Sequence, residues 1–125
     1  MDVGARSILI VDDDSGVRGL LVRILEEEGY LVTGVGTTME CLAFVDRGAV
    51  FDLIIIDVVM PLSMPNGFAL GRMVKYRNPG QQLLYVTGVP EALPEGELET
   101  VEIFTKPVRV PEFLQVVRRL APLPR

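Results

Sequence analysis

Histidine and tryptophan are absent from this chain, and cysteine occurs once. Without histidine there is no imidazole acid–base chemistry and no phosphohistidine role for this chain. The lone Cys41 excludes an internal disulfide and suits a reducing cytoplasm; it reads as a small core residue of a helix. Basic residues cluster nowhere except Arg118-Arg119, and the net charge is −5. Direct nucleic-acid binding is therefore not expected, because phosphate contacts need a basic face. Long hydrophobic runs are lacking too. The longest apolar stretches are broken by Asp57 or by Pro and Gly, so none could span a bilayer. The opening MDVGARS lacks the charged-then-apolar pattern of a secretory leader. These absences favour a cytoplasmic protein without a membrane partner.

What is present is an alternation of strand-like and helical patterns over 125 residues, a length that fits one domain with one sizeable core. Ser7 to Val11 reads as a strand. Val17, Leu20, Leu21, Ile24 and Leu25 follow at helical spacing, with Asp14 or Ser15 as the cap and Gly29 as the stop. Tyr30 to Val35 is a weaker strand. Thr37 and Glu40 form a capping box for a second helix ending at Gly48. Leu53 to Ile56 is an unbroken apolar run, the mark of a central parallel strand buried on both faces. A third helix spans Gly67 to Tyr76, and Gln82 to Val86 is the fourth strand. Pro90, Pro94 and Gly96 punctuate VPEALPEGELE, which predicts a short or irregular fourth helix. Ile103 and Phe104 mark a fifth strand. Pro111 opens a final helix with Phe113, Val116, Val117 and Leu120 on one face, and APLPR reads as a tail. The pattern is α/β, a doubly wound five-stranded sheet with helices on both faces.

Chemistry gathers where the strands stop. SILIV ends at Asp12 and Asp13, LIII at Asp57, LLYV at Thr87 and IFT at Lys106. In an open parallel sheet the carboxyl ends share one edge, and ligands bind in the crevice there. Three carboxylates brought together repel unless a cation joins them, and hard oxygen ligands suit Mg²⁺, with Mn²⁺ as a substitute. Asp57, closing the most buried strand, is the candidate nucleophile. Lys106 can pair with a carboxylate or phosphoryl oxygen, the Thr87 hydroxyl can donate to a phosphoryl oxygen, and Gly88 leaves the approach to Asp57 open.

With these residues in place, the chain resembles the receiver domain of two-component response regulators. The matching segments are ILIVDDDSGVR, LIIIDVVMP, LLYVTG and FTKPV, and the similarity covers about residues 6–121. The resemblance implies a flavodoxin-like sheet of order 2-1-3-4-5 in a single receiver domain over 1–125 without an output domain. It implies phosphorylation of Asp57 by a histidine kinase or histidine phosphotransfer protein, and phosphorylation-dependent binding of a downstream protein target. It also implies Mg²⁺ ligation by Asp13, Asp57 and the Val59 carbonyl, with Asp12 acting largely through water, while Thr87 and Lys106 bind the phosphoryl group. Such a domain assists its own phosphorylation and dephosphorylation and is not a turnover enzyme.

Three departures from the family pattern stand out. Ile103 occupies the position of the usual aromatic switch residue, and alternation turns the adjacent Phe104 to the other face. MPLSMPNG is about two residues longer than the common form, and Leu62, Met64 and Pro65 offer either a partner contact or packing onto the domain. The stretch from Thr87 to Lys106 is about three residues short. Val59 and Val89, two positions beyond Asp57 and Thr87, are apolar, so neither can orient an attacking water; a long-lived phosphoryl group is expected. Two other readings exist. One is a pseudo-receiver that binds proteins without being phosphorylated. The other is a haloacid dehalogenase-like phosphohydrolase built on Asp12-Asp13-Asp14, which needs a later acidic metal motif that no Asp after Thr87 supplies.

Overall fold

Every second residue of the strands faces one helical layer, and that alternation builds the molecule. The computed structural model describes residues 6–59, 66–88 and 102–124. Five strands, β1 (Ser7–Val11), β2 (Leu31–Val35), β3 (Leu53–Asp57), β4 (Leu83–Thr87) and β5 (Glu102–Thr105), are interleaved with helices α1 (Ser15–Glu27), α2 (Thr38–Asp46), α3 (Gly67–Arg77) and α4 (Val110–Leu120). The strands form one parallel sheet of order β2-β1-β3-β4-β5. Leu9, Val11, Ile54, Ile56, Leu83 and Tyr85 pack toward Cys41 and Leu42 of α2 and Phe68, Leu70 and Val74 of α3. Ile8, Ile10, Leu53, Ile55, Leu84, Val86 and Phe104 pack toward α1 and α4. All five β3 residues are buried, as a central parallel strand requires.

The helix caps follow from local chemistry. Asp14 caps α1, accepting from the Gly16 and Val17 amides. Thr37 accepts from the Glu40 amide at 3.1 Å, while the Glu40 carboxylate reaches back to the Gly36 amide at 3.2 Å. Asn66 accepts from the Ala69 amide at 2.9 Å and starts α3. Gly29 and Gly48 have φ values of 106° and 83°, so each leaves its helix in a conformation open to glycine.

Several boundaries shift from the sequence expectation. β2 begins at Leu31, because Tyr30 turns inward and donates its hydroxyl to the Ala121 carbonyl at 2.8 Å. α2 closes at Asp46, two residues before Gly48. α3 continues to Arg77, and β4 covers 83–87, so Thr87 is itself the last strand residue. α4 starts at Val110 with Pro111 inside its first turn, where no amide donor is needed. APLPR is more than a tail: Ala121 is buried, Leu123 packs against the α1/α4 core, and the Pro122 carbonyl accepts from Arg6 at 2.9 Å. The expected irregular helix in VPEALPEGELE, and Leu62, Met64 and Pro65, lie outside the described residues. Among the described residues no helix is long and apolar enough to cross a membrane.

Candidate functional site

The register of the sheet sets the site. Val11 lies opposite Ile56 and Asp57 opposite Val86, so Asp12 and Asp57 leave adjacent strands side by side. Alternation carried past the strand ends turns Asp12, Asp57 and Lys106 toward the α1/α4 side. Asp12 and Asp57 are buried, 3% and 5% exposed, whereas Asp13 is exposed. One carboxylate oxygen from each of Asp12, Asp13 and Asp57 lies within 4.8 Å of the others. Lys106 Nζ stands 3.5 Å from Asp57 Oδ2, and the Val59 amide donates to Asp57 Oδ1 at 3.1 Å. The Lys106 amide donates to the Thr87 carbonyl at 2.9 Å, which ties the lysine to the end of β4.

Burial is the main force on Asp57. It lifts the carboxyl from 3.8 to about 6, the nearby Asp12 carboxylate pushes the same way, and Lys106 and the Val59 amide oppose it. A cluster of three hard oxygen donors, with one member held against its charge by desolvation and a like neighbour, matches what a divalent cation relieves.

Thr87 ends β4 fully buried. Val59 is 49% exposed at the rim, and Val89 lies outside the described residues. A side chain at Gly88 would meet Lys106 Cβ at 3.8 Å, an ordinary contact, so the glycine is not sterically required there. Ile103 packs on the α2/α3 side and Phe104 on the other, edge-to-face with Phe113 at 5.5 Å, as alternation dictates.

Sequence reasoning overlooked three close approaches. A Cβ at Gly67 would stand 2.3 Å from the Asp57 carbonyl oxygen, so α3 presses directly on the strand end that carries the central carboxylate. A Cβ at Gly71 would lie 1.7 Å from the Tyr85 hydroxyl oxygen; Tyr85, opposite Ile103 in the sheet and edge-to-face with Phe68, fills that space instead. Arg18 Nη1 donates to the Asp12 carbonyl at 2.7 Å. The local signals for these were the glycines themselves: Gly67 and Gly71 in α3, Gly34 in β2 and Gly36 just past it.

A parallel doubly wound α/β domain with a buried aspartate, two further acidic neighbours and a lysine at the carboxyl edge defines a class of signalling domains. The response regulator receiver domain model matches residues 8–118, and the chain belongs to that family, the receivers of two-component systems. It is 31% identical over 124 residues to the DNA-binding transcriptional regulator NtrC of Bradyrhizobium, covering 97% of this chain and 25% of that protein. It is 32% identical over 117 residues to a 14.6 kDa protein of Leptolyngbya boryana, covering 90% of this chain and 87% of that one. The chemotaxis protein CheY4 of Vibrio cholerae superimposes with a TM-score of 0.80 at 28% identity, over 94% of this chain and 99% of that one. The chain spans about a quarter of the NtrC relatives it matches.

Proposed function

We propose that this receiver is a phosphoacceptor of a two-component or phosphorelay system, with Asp57 as the acceptor. The observation that carries the reading is a buried aspartate with two further carboxylates within 4.8 Å and an ammonium at 3.5 Å. A carboxyl held at about 6 is mostly ionised at neutral pH, so the nucleophile is available without a base. An Asp57 carboxylate oxygen attacks phosphorus in line, the new O–P bond forms, and the donor's bridging P–O or P–N bond breaks with its electron pair leaving on the donor. Asp13, Asp57 and the Val59 carbonyl would hold Mg²⁺ or Mn²⁺, with Asp12 acting largely through water, and the bound cation would neutralise charge on the phosphoryl oxygens. Lys106 pairs with a phosphoryl oxygen and the Thr87 hydroxyl donates to another. The phosphoryl group comes from a histidine kinase or histidine phosphotransfer protein in the cytoplasm. Its presence switches binding of a downstream protein target, without direct nucleic-acid contact and without turnover of a substrate.

The experiment is intact mass after incubation with acetyl phosphate and Mg²⁺. One added phosphoryl group on the wild type and none on Asp57→Asn is the expected result. Undiminished labelling of Asp57→Asn would refute the acceptor assignment, and an unlabelled wild type would identify a pseudo-receiver.

A further inference from the structure

The acidic pair reaches the crevice on the turn between β1 and α1, and a half-buried cation braces that turn. Arg18 Nη1 donates to the Asp12 carbonyl at 2.7 Å, a charge-assisted bond between the first turn of α1 and the end of β1. The rest of the side chain lies across β2 and its exit. A Cβ at Gly34 would stand 3.1 Å from Arg18 Cγ and 3.2 Å from Cδ, and one at Gly36 would stand 3.0 Å from Nη1. Neither glycine has a positive φ, so what each contributes is room, not backbone freedom. The same turn is held by the Asp12 amide donating to the Val35 carbonyl at 3.1 Å and by the Asp14 amide donating to Asp12 Oδ1 at 2.9 Å.

We propose that Arg18, seated in the trough left by Gly34 and Gly36, is a positioning residue for the divalent-cation site. Three carboxylates that share one crevice push apart. The turn carrying two of them yields unless its backbone is restrained, and Arg18 restrains the Asp12 carbonyl directly. Arg18 touches neither the cation nor the phosphoryl group; it acts by keeping the Asp12 and Asp13 oxygens near Asp57. The inference rests on the metal-assisted reading above.

The test titrates Mg²⁺ against the melting temperature of the full chain and fits the dissociation constant from the rise. Arg18→Met keeps the apolar stem and removes the donor; it should weaken Mg²⁺ binding about tenfold, the scale seen when groups that orient metal ligands are removed. Arg18→Lys retains a cation but loses the planar fork, so it should recover part of the loss. Gly36→Ala crowds the guanidinium while leaving its charge. It should also weaken Mg²⁺ binding, yet keep or raise metal-free stability, because alanine at an unstrained position restricts the unfolded chain. Arg18→Met combined with Gly36→Ala should bind Mg²⁺ no worse than Arg18→Met alone. Wild-type Mg²⁺ affinity in both Arg18→Met and Gly36→Ala, with or without a fall in metal-free stability, overturns the proposal. If Arg18→Met fails to fold, Arg18→Lys and Gly36→Ala decide by the same criterion. A wild type whose melting temperature ignores Mg²⁺ refutes the metal site itself, and the positioning role with it.

Discussion

Replacing Asp57 by asparagine should make the metal-free protein more stable at neutral pH, and the size of the gain can be worked from the site. Asp57 is 5% exposed, and burial together with Asp12 lifts its carboxyl from 3.8 to about 6. Between those values the folded protein binds the proton more tightly than the unfolded chain. Stability therefore falls as pH rises through this window, is fully present below about pH 4, and is lost above about pH 6. A shift of about two units corresponds to about 3 kcal/mol of destabilisation at pH 7.5. Asparagine removes the charge and keeps an oxygen for the Val59 amide. The lift of about two units already includes the opposing pull of the Lys106 ammonium at 3.5 Å, so the loss of that pair is not subtracted again. The net gain is about 3 kcal/mol. With an unfolding entropy of about 2.1 cal/mol/K per residue over 125 residues, that raises the melting temperature by about 11 °C. Urea or thermal unfolding in EDTA from pH 4 to 8 measures it. The gap between variant and wild type should open between pH 4 and 6 and stay level above pH 7. A variant less stable than wild type at pH 7.5, or a gap indifferent to pH, would refute the claim that buried charge at Asp57 strains the fold.

Asp13→Ala should likewise stabilise the metal-free protein, by less because Asp13 is exposed, and should erase most of the Mg²⁺-dependent rise in melting temperature. Gly71→Ala places a methyl 1.7 Å from the Tyr85 hydroxyl oxygen and should cost about 1–3 kcal/mol in urea unfolding, with Tyr85→Leu in the same chain restoring part of it. The phosphoryl group on Asp57 should be long-lived, since Val59 at the rim cannot orient water; Val59→Asn with Val89→Glu should speed its loss in a decay time course.

Much of the architecture was legible in the residues because it depends on periodicity. Alternation separates Ile103 from Phe104, and the unbroken run ending at Asp57 marks a strand covered on both sides. The strand-end residues follow from the same reading, since a parallel sheet delivers all its carboxyl ends to one edge. The Thr37 and Glu40 capping pair is local and was read directly. Other features depend on distances between segments that no local pattern records. Asp12 and Asp13 are neighbours of identical chemistry, yet one is buried and the other exposed, because only one turns inward beside Asp57. The lift of Asp57 to about 6 required knowing how completely the layers exclude water. The seat of Arg18 on Gly34 and Gly36, the pressure of Gly67 on the Asp57 carbonyl and the fit of Tyr85 over Gly71 are close approaches between elements. A glycine in a sequence says that a side chain is missing; the packed layers decide which neighbour takes its place.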